Sequence, residues 1–285
     1  MKLSIIIPTI GRKTLQNVLS AIFSCNNFEK INPEIIVVRD AVEGPFLSEL
    51  EKEFPRVHWY NTKEKSYSGG ARNIGIEKAN GEIIIFLGDD TIPTPDWLQY
   101  ISNFHLSHPE KEAVLLGKIS WTPELATNTF HNWLENNAQF SFSLIKKQGS
   151  TWRHFYTSNI SVKQMLIEKE RFSDQFNGWG FEDTEFGYRL FQKGMKLFYE
   201  PNCEVLHDHP QEESQVWNQT RNARKNAVVF ETLHPEISLI PRGIKLSLLK
   251  FLILLSYAIP TQKMRWWRQW KKNWMYEEEN LPSYR

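Results

Sequence analysis

Two adjacent carboxylates, Asp89 and Asp90, follow the apolar run Ile83-Ile84-Ile85-Phe86-Leu87 and a glycine, Gly88. Neighbouring carboxylates repel each other unless a cation or solvent relieves them. Hard oxygen ligands of this kind suit Mg2+ or Mn2+, which also bridge diphosphate oxygens. Pro8-Thr9 and Arg39-Asp40 stand in the same relation to the apolar runs before them. Ser68-Gly69-Gly70-Ala71-Arg72-Asn73-Ile74-Gly75 adds glycines and an arginine at a predicted helix start. Free backbone N–H groups there can hold an anion, and Arg72 can grip a phosphate with two hydrogen bonds. A nucleoside diphosphate fits this set. Thr9, Asp40 and Asp90 each also suit a helix N-cap, which explains them singly but not the paired carboxylates.

A second cluster runs Asn177-Gly178-Trp179-Gly180-Phe181-Glu182-Asp183-Thr184-Glu185. Two readings stand level on the residues alone. Acidic side chains opening a helix complement its dipole, at about 0.3–1 kcal/mol each. Alternatively, the Trp179 indole offers a stacking face to a sugar ring, and a positioned carboxylate removes a hydroxyl proton. His207 and His209 flank Asp208; in a strand both rings would point to one face and could ligate metal, and one of them is carried forward as a ligand.

These residues must be positioned by elements, and the first half alternates two kinds. Residues 3–8, 34–39, 57–60 and 82–87 are short runs rich in Ile and Val; 13–25, 46–54 and 71–80 have helical spacing or composition between them. Strands apolar on both faces and separated by helices predict an α/β fold with a mostly parallel central sheet flanked by helices. In such sheets ligands bind beyond the carboxyl ends of the strands, where the strand order reverses. Thr9, Asp40 and Asp89-Asp90 all lie at such ends, so they converge on one crevice. The rhythm weakens from about 119 to 148, and helical pattern returns at 182–193 and from 215 onward. Three segments are expected: 1–110 for the nucleotide, 111–210 with the Trp179–Asp183 cluster, and a helical extension at 211–285. A P-loop is excluded, since Arg12 holds its lysine position and Ile6 its first glycine; no G-x-G-x-x-G follows the first strand.

Composition narrows the partners. The 285 residues carry 34 Lys plus Arg against 33 Asp plus Glu, so no global field recruits nucleic acid. Two cysteines, Cys25 and Cys203, exclude a disulfide framework and predict packed thiols in a reducing compartment. The apolar run at 3–7 is too short for a signal peptide, which points to the cytoplasm. The apolar stretch 246–259 is shorter than the roughly 20 residues of a spanning helix. Beyond it Trp266, Trp267, Trp270 and Trp274 fall within an arc of about 100° on a helix, with Arg265, Arg268 and Lys272 on the far side. That pattern predicts an in-plane helix on an anionic membrane surface through 246–275, peripheral on the inner face of the cell membrane. The competing reading docks the helix on the protein body or a second subunit.

In order and spacing the set resembles the family 2 glycosyltransferases, enzymes of the GT-A fold. Leu3-Ser4-Ile5-Ile6-Ile7-Pro8-Thr9, 34–40, Ala71-Arg72-Asn73-Ile74-Gly75, and 81–93 with Asp96-Trp97-Leu98 carry the likeness. Gly178-Trp179-Gly180-Phe181-Glu182-Asp183 is similar to the acceptor motif of chondroitin-polymerase-like and galactosyltransferase-like members. The resemblance covers about residues 1–210 and rests on the ordered set. It implies an inverting transferase that moves a sugar from a nucleotide-sugar, a UDP-sugar above all, to a hydroxyl of a glycan or lipid-linked acceptor. It implies Pro8, Thr9, Asp40, Arg72 and Asp89 as donor-binding residues, and Asp90 with His207 as ligands of Mn2+ or Mg2+. Asp183 would be the catalytic base, with Trp179 and Glu182 on the acceptor. The sequence departs from the family at Gly88, first in the D-x-D-like triplet, and at Arg39, where many members carry an acid. The alternatives are a non-catalytic carbohydrate- or nucleotide-binding relative and a sugar-1-phosphate nucleotidyltransferase, which lacks a task for the Trp179–Asp183 segment.

Overall fold

The computed structural model describes residues 1–137, Phe142, Ile145 and 149–275. One eight-stranded sheet runs through them in the order β3-β2-β1-β4-β7-β6-β8-β5. Its strands are β1 (Leu3–Thr9), β2 (Glu34–Arg39), β3 (Val57–Asn61), β4 (Ile83–Leu87), β5 (Thr91–Pro93), β6 (Ala113–Trp121), β7 (Asn159–Lys163) and β8 (Lys196–His207). The half formed by β3, β2, β1 and β4 is wholly parallel. The other half is mixed: β6 and β8 are parallel, while β4–β7, β6–β7 and β5–β8 are antiparallel. The α/β expectation holds, and the sheet joins strands from both sides of residue 110.

The parallel half folds as its sequence demands. Along β1, Leu3, Ile5 and Ile7 enter the core on one face and Ile6 the core on the other, the two-residue period of a strand. Helix α1 (Thr14–Phe23) buries Leu15, Val18, Leu19 and Ile22, a single stripe, against the first face. Helices α2 (Pro45–Glu53) and α4 (Trp97–Ser107) join α1 on that side, burying Leu47 and Leu50, and Trp97, Leu98 and Ile101. Helix α3 (Tyr67–Lys78) covers the second face. It begins four residues before the predicted 71, so Gly69 and Gly70 are helical rather than loop. Its Gly75 is a packing device: a Cβ there would come within 2.3 Å of Ile6 Cγ2.

β1 leads to β2 and β3 on one side, and the chain then returns to place β4 on β1's other flank. The carboxyl ends of β1 and β4 therefore meet at the switch point. β8 was not foreseen as a strand. Pro201 and charges four residues apart at Lys196, Glu200 and Glu204 mask it, and its pairing with β6 shifts register at Gly117/Lys118. This strand matters because Thr91 pairs with His207, which carries the histidine to the end of β4. The predicted irregularity at 119–148 falls partly on residues outside those described.

Among the described residues five further long helices follow: α5 (Thr129–Asn137), α6 (Glu182–Gln192), α7 (Glu213–Leu233), α8 (Gly243–Ser256) and α9 (Gln262–Met275). The expected lipid-facing tryptophan arc is corrected here. Trp266 is buried in a third apolar cluster with Trp121, Phe130, Trp133, Leu134 and Val216, and Trp267 and Trp270 pack against it. A helical moment reports that one face is apolar but not what covers it. Here protein covers it, at about 1.5–3 kcal/mol per fully buried large side chain. The exposed apolar face belongs to α8 instead, through Ile244, Leu248, Phe251 and Leu255. No helix among the described residues is long and apolar enough to cross a membrane.

Candidate active site

A crevice of about 650 Å³ opens at the switch point. Ten residues singled out from the sequence line it, Pro8, Thr9, Asp40, Arg72, Asp89, Asp90, Trp179, Glu182, Asp183 and His207, while His209 does not. Their tasks within it differ.

Asp89 is an internal tie. Its Oδ2 accepts from Thr9 Oγ1 at 2.7 Å and its Oδ1 from Arg12 Nη1 at 2.6 Å. Thr14 Oγ1 donates to its carbonyl oxygen at 2.8 Å. Burial pushes this carboxyl above its ordinary value, with Arg12 working against the shift. Asp40 is similarly engaged, its Oδ1 accepting from the Ser66 N–H at 2.7 Å and from Thr62 Oγ1 at 3.3 Å. It thereby fastens the start of α3 to the end of β2. Arg39 leaves the crevice, ion-paired with Glu51 at 2.6 Å and lying over Trp59 at 4.8 Å. Its departure from the family's acid thus removes a carboxylate without placing a cation on the ligand.

Asp90 and His207 face each other, with Oδ2 and Nε2 3.7 Å apart. The Asp208 N–H donates to the Asp90 carbonyl at 2.8 Å and holds the two chain segments together. Burial lowers the His207 pKa, favouring the neutral imidazole that ligates metal. One oxygen and one nitrogen at this separation could together hold a divalent cation, which would supply positive charge beside a diphosphate. Among the described residues no group of three His, Cys, Asp or Glu could hold a metal by itself. Asp90 and His207 are thus the two residues of the crevice whose donor atoms would suit a divalent cation. Arg12 Nη1, 3.6 Å from Asp90 Oδ2, gives the carboxylates a counterion from the chain.

The second cluster hangs on two glycines with left-handed backbone, Gly178 (φ 78°) and Gly180 (φ 99°). A Cβ on Gly180 would sit 2.9 Å from the Ala223 Cβ, so the loop lies directly on α7. Asn222 Nδ2 donates to the Asn177 and Trp179 carbonyls at 2.8 and 2.9 Å, and Asn226 Nδ2 to Gly180 at 2.8 Å. Phe181 then opens α6 from a left-handed cap. Glu182 is turned inward, accepting from Ser68 Oγ at 2.8 Å and pairing with Arg72 at 3.3 Å. Arg72 lies over the Phe172 ring at 5.6 Å. Asp183 has a different environment. Burial, then the Glu182 charge, push its carboxyl from 3.8 to about 7, with Arg72 and the Thr184 hydrogen bonds opposing. Its Oδ1 accepts from the Thr184 N–H at 2.7 Å. A carboxyl near neutrality is suited to taking a proton at working pH.

Sequence reasoning missed Arg12, set aside with the P-loop, and Trp270 and Trp274, assigned to lipid. It also missed Gln211 and Gln219, which line the same crevice. Arg12 had a signal: it directly follows the β1 turn, next to the predicted acidic pair.

Residues 4–171 match the model of "Glycosyl transferase family 2", more than half of the chain. The chain belongs to glycosyl transferase family 2. It is 25% identical to a chondroitin synthase of Escherichia coli over 295 residues, covering 90% of this chain and 42% of that protein. The chain therefore spans less than half the length of that relative. Among solved structures, S. aureus TarS 1–349 in complex with UDP superposes with a TM-score of 0.59 at 16% identity, over 96% of this chain and 89% of that one. Mannosyltransferase PcManGT from Pyrobaculum calidifontis in complex with GDP-Man and Mn2+ gives 0.60 at 14%, over 95% and 84%. At these identities the likeness is one of fold, and that fold is GT-A.

Proposed function

We propose that this family 2 enzyme is an inverting, divalent-metal-dependent transferase that moves a sugar from a UDP-sugar to a hydroxyl of a glycan or lipid-linked acceptor. The observation that carries the reading is the division of labour among the carboxylates of one crevice. Asp89 and Asp40 are consumed by internal hydrogen bonds, Asp90 faces His207, and Asp183 is held near neutrality. Pro8, Thr9 and Asp40 border the nucleoside region at the ends of β1 and β2. Arg72 balances Glu182 and stands close to where a diphosphate would lie. A Mn2+ or Mg2+ on Asp90 and His207 would neutralise charge on the departing diphosphate. Asp183 takes the acceptor hydroxyl proton as that oxygen attacks the anomeric carbon from the face opposite the diphosphate. The carbon–oxygen bond to the diphosphate breaks, and a single displacement inverts the centre. One base suffices, unlike the two carboxylates of a retaining hydrolase.

The free, buried Cys25 and Cys203 suit a reducing, cytoplasmic setting. The exposed face of α8 supports peripheral contact with an anionic membrane surface: Ile244 is 88% exposed and Leu248 and Phe251 55% each. α8 is tied to α9 through Arg268 Nη1, which donates to the Ser256 carbonyl at 2.7 Å. The Leu248→Glu, Phe251→Glu variant should lose flotation with phosphatidylglycerol vesicles; flotation equal to wild type removes the membrane contact. The transfer reading is tested by presenting UDP-sugars with oligosaccharide acceptors and reading the product linkage by NMR. An α-linked donor should give a β-linked product, and an α-linked product would exclude single displacement.

A further inference from the structure

The crevice takes part of its lining from α9, an element with no task in the donor site. α9 is fixed in rotation by two anchors. Trp266 is 4% exposed, its Nε1 donates to Glu213 Oε1 at 2.8 Å, and its ring lies 5.0 Å from Phe130. Asn273 is fully buried, and its Nδ2 donates to the Trp217 carbonyl at 3.3 Å. Trp270 and Trp274 follow Trp266 at four-residue steps, so they share its side of the helix. Both are half-buried and both line the crevice. Trp274 meets the Phe181 ring edge-on at 5.8 Å, which sets it beside the loop carrying Trp179 and Asp183. Trp179 itself is 43% exposed.

Two amides complete this wall. Gln219 stands on α7 and Gln211 just before it, and both line the crevice. The Oε1 atom of each is buried with no hydrogen-bond partner among the described residues. A buried amide oxygen without a donor is costly, and natural interiors rarely keep one. The terminal amide torsion is soft, so each oxygen can turn to meet a donor in the crevice. Indole faces together with acceptors awaiting O–H donors match the two surfaces of a sugar ring, its C–H face and its hydroxyl rim. An acyl or prenyl chain would satisfy the indoles and leave both amides unpaired. A nucleobase is placed elsewhere, at the ends of β1 and β2.

We propose that Trp270 and Trp274 of α9, with Gln211, Gln219 and Trp179, form a saccharide subsite that holds the acceptor beside Asp183. This rests on the glycosyltransferase reading of the crevice and adds to it the recognition of acceptor by the carboxy-terminal helix. The test uses the full chain and three variants, Trp270→Ala, Trp274→Ala and Trp270→Phe, each checked for an unchanged melting profile. Saturation-transfer NMR and intrinsic fluorescence follow titration with defined tetrasaccharides of alternating hexosamine and uronic acid, and of hexosamine alone. UDP binding is measured in parallel by calorimetry. Wild type should bind at least one tetrasaccharide saturably. Either alanine variant should weaken that binding on the order of tenfold, and Trp270→Phe should keep most of it. UDP affinity should stay within about twofold throughout, since the alanine changes lie outside the donor region. Unchanged saccharide affinity in both alanine variants overturns the subsite, as does a wild type that binds UDP but no saccharide. Binding of polyprenyl phosphate micelles in place of saccharides overturns it too. A wild type that binds saccharide but not UDP overturns the donor reading while supporting the subsite.

Discussion

Asp183→Asn should cut transfer sharply and, at alkaline pH, make the protein more stable. Burial and the neighbouring Glu182 hold the Asp183 carboxyl at about 7, against 3.8 when unfolded. Its folded value is raised, so the stability linked to this group is complete below about pH 4 and is lost as pH rises through about 7. At about 1.4 kcal/mol per pH unit, the loss between pH 4.5 and 8.5 comes to about 3 kcal/mol. Water entering from the crevice trims this to about 2 kcal/mol. Asparagine does not titrate and escapes the loss. Urea unfolding of both proteins at pH 4.5 and 8.5 should therefore show the variant gaining about 2–3 kcal/mol on wild type across that interval. Transfer should fall about 10²–10⁴-fold, the usual worth of a general base. Wild-type transfer should rise with pH through about 7 as the carboxyl ionises. Equal pH slopes of stability in the two proteins, together with transfer reduced less than tenfold, would refute both the burial argument and the base assignment.

Trp266→Ala should cost about 3–5 kcal/mol in urea unfolding, because it empties the third cluster. It should also expose residues 257–262 to limited proteolysis, as α9 loses its anchor. Arg12→Ala leaves the 3%-exposed Asp89 without its cation and, because Arg12 is itself 34% exposed, should destabilise by about 1–3 kcal/mol, read from the same unfolding midpoints. Gly180→Ala forces a Cβ into left-handed backbone and onto Ala223. It should cost about 1–3 kcal/mol and lower transfer, while calorimetric UDP affinity stays unchanged.

The donor half of the site was legible because its signals are local. Thr9, Asp40 and Asp90 each end a run that is apolar on both faces, and strand ends converge by topology alone. Asp183 was legible as a candidate, but its near-neutral carboxyl comes from burial that no local pattern reports. The start of α3 was placed late because Gly69 and Gly70 read as loop residues, whereas tertiary packing decides in favour of helix. β8 was hidden by Pro201 and its register shift, and with it the reason that His207 reaches Asp90. For α9 the period was right and the environment wrong. The partners of Trp266 lie more than a hundred residues earlier, at Trp121, Phe130 and Trp133, and an arc of indoles carries no record of them. Arg12 shows a further limit: testing a residue against one motif conceals its part in another.

The crevice at the switch point should bind a uridine nucleotide together with a divalent cation. Calorimetric titration of UDP, with and without Mn2+, into wild type and Asp90→Asn tests it most directly. Wild type should bind UDP more tightly when Mn2+ is present, and Asp90→Asn should lose the metal-dependent part of the affinity. Absence of UDP binding by a folded wild type, with and without Mn2+, would contradict it.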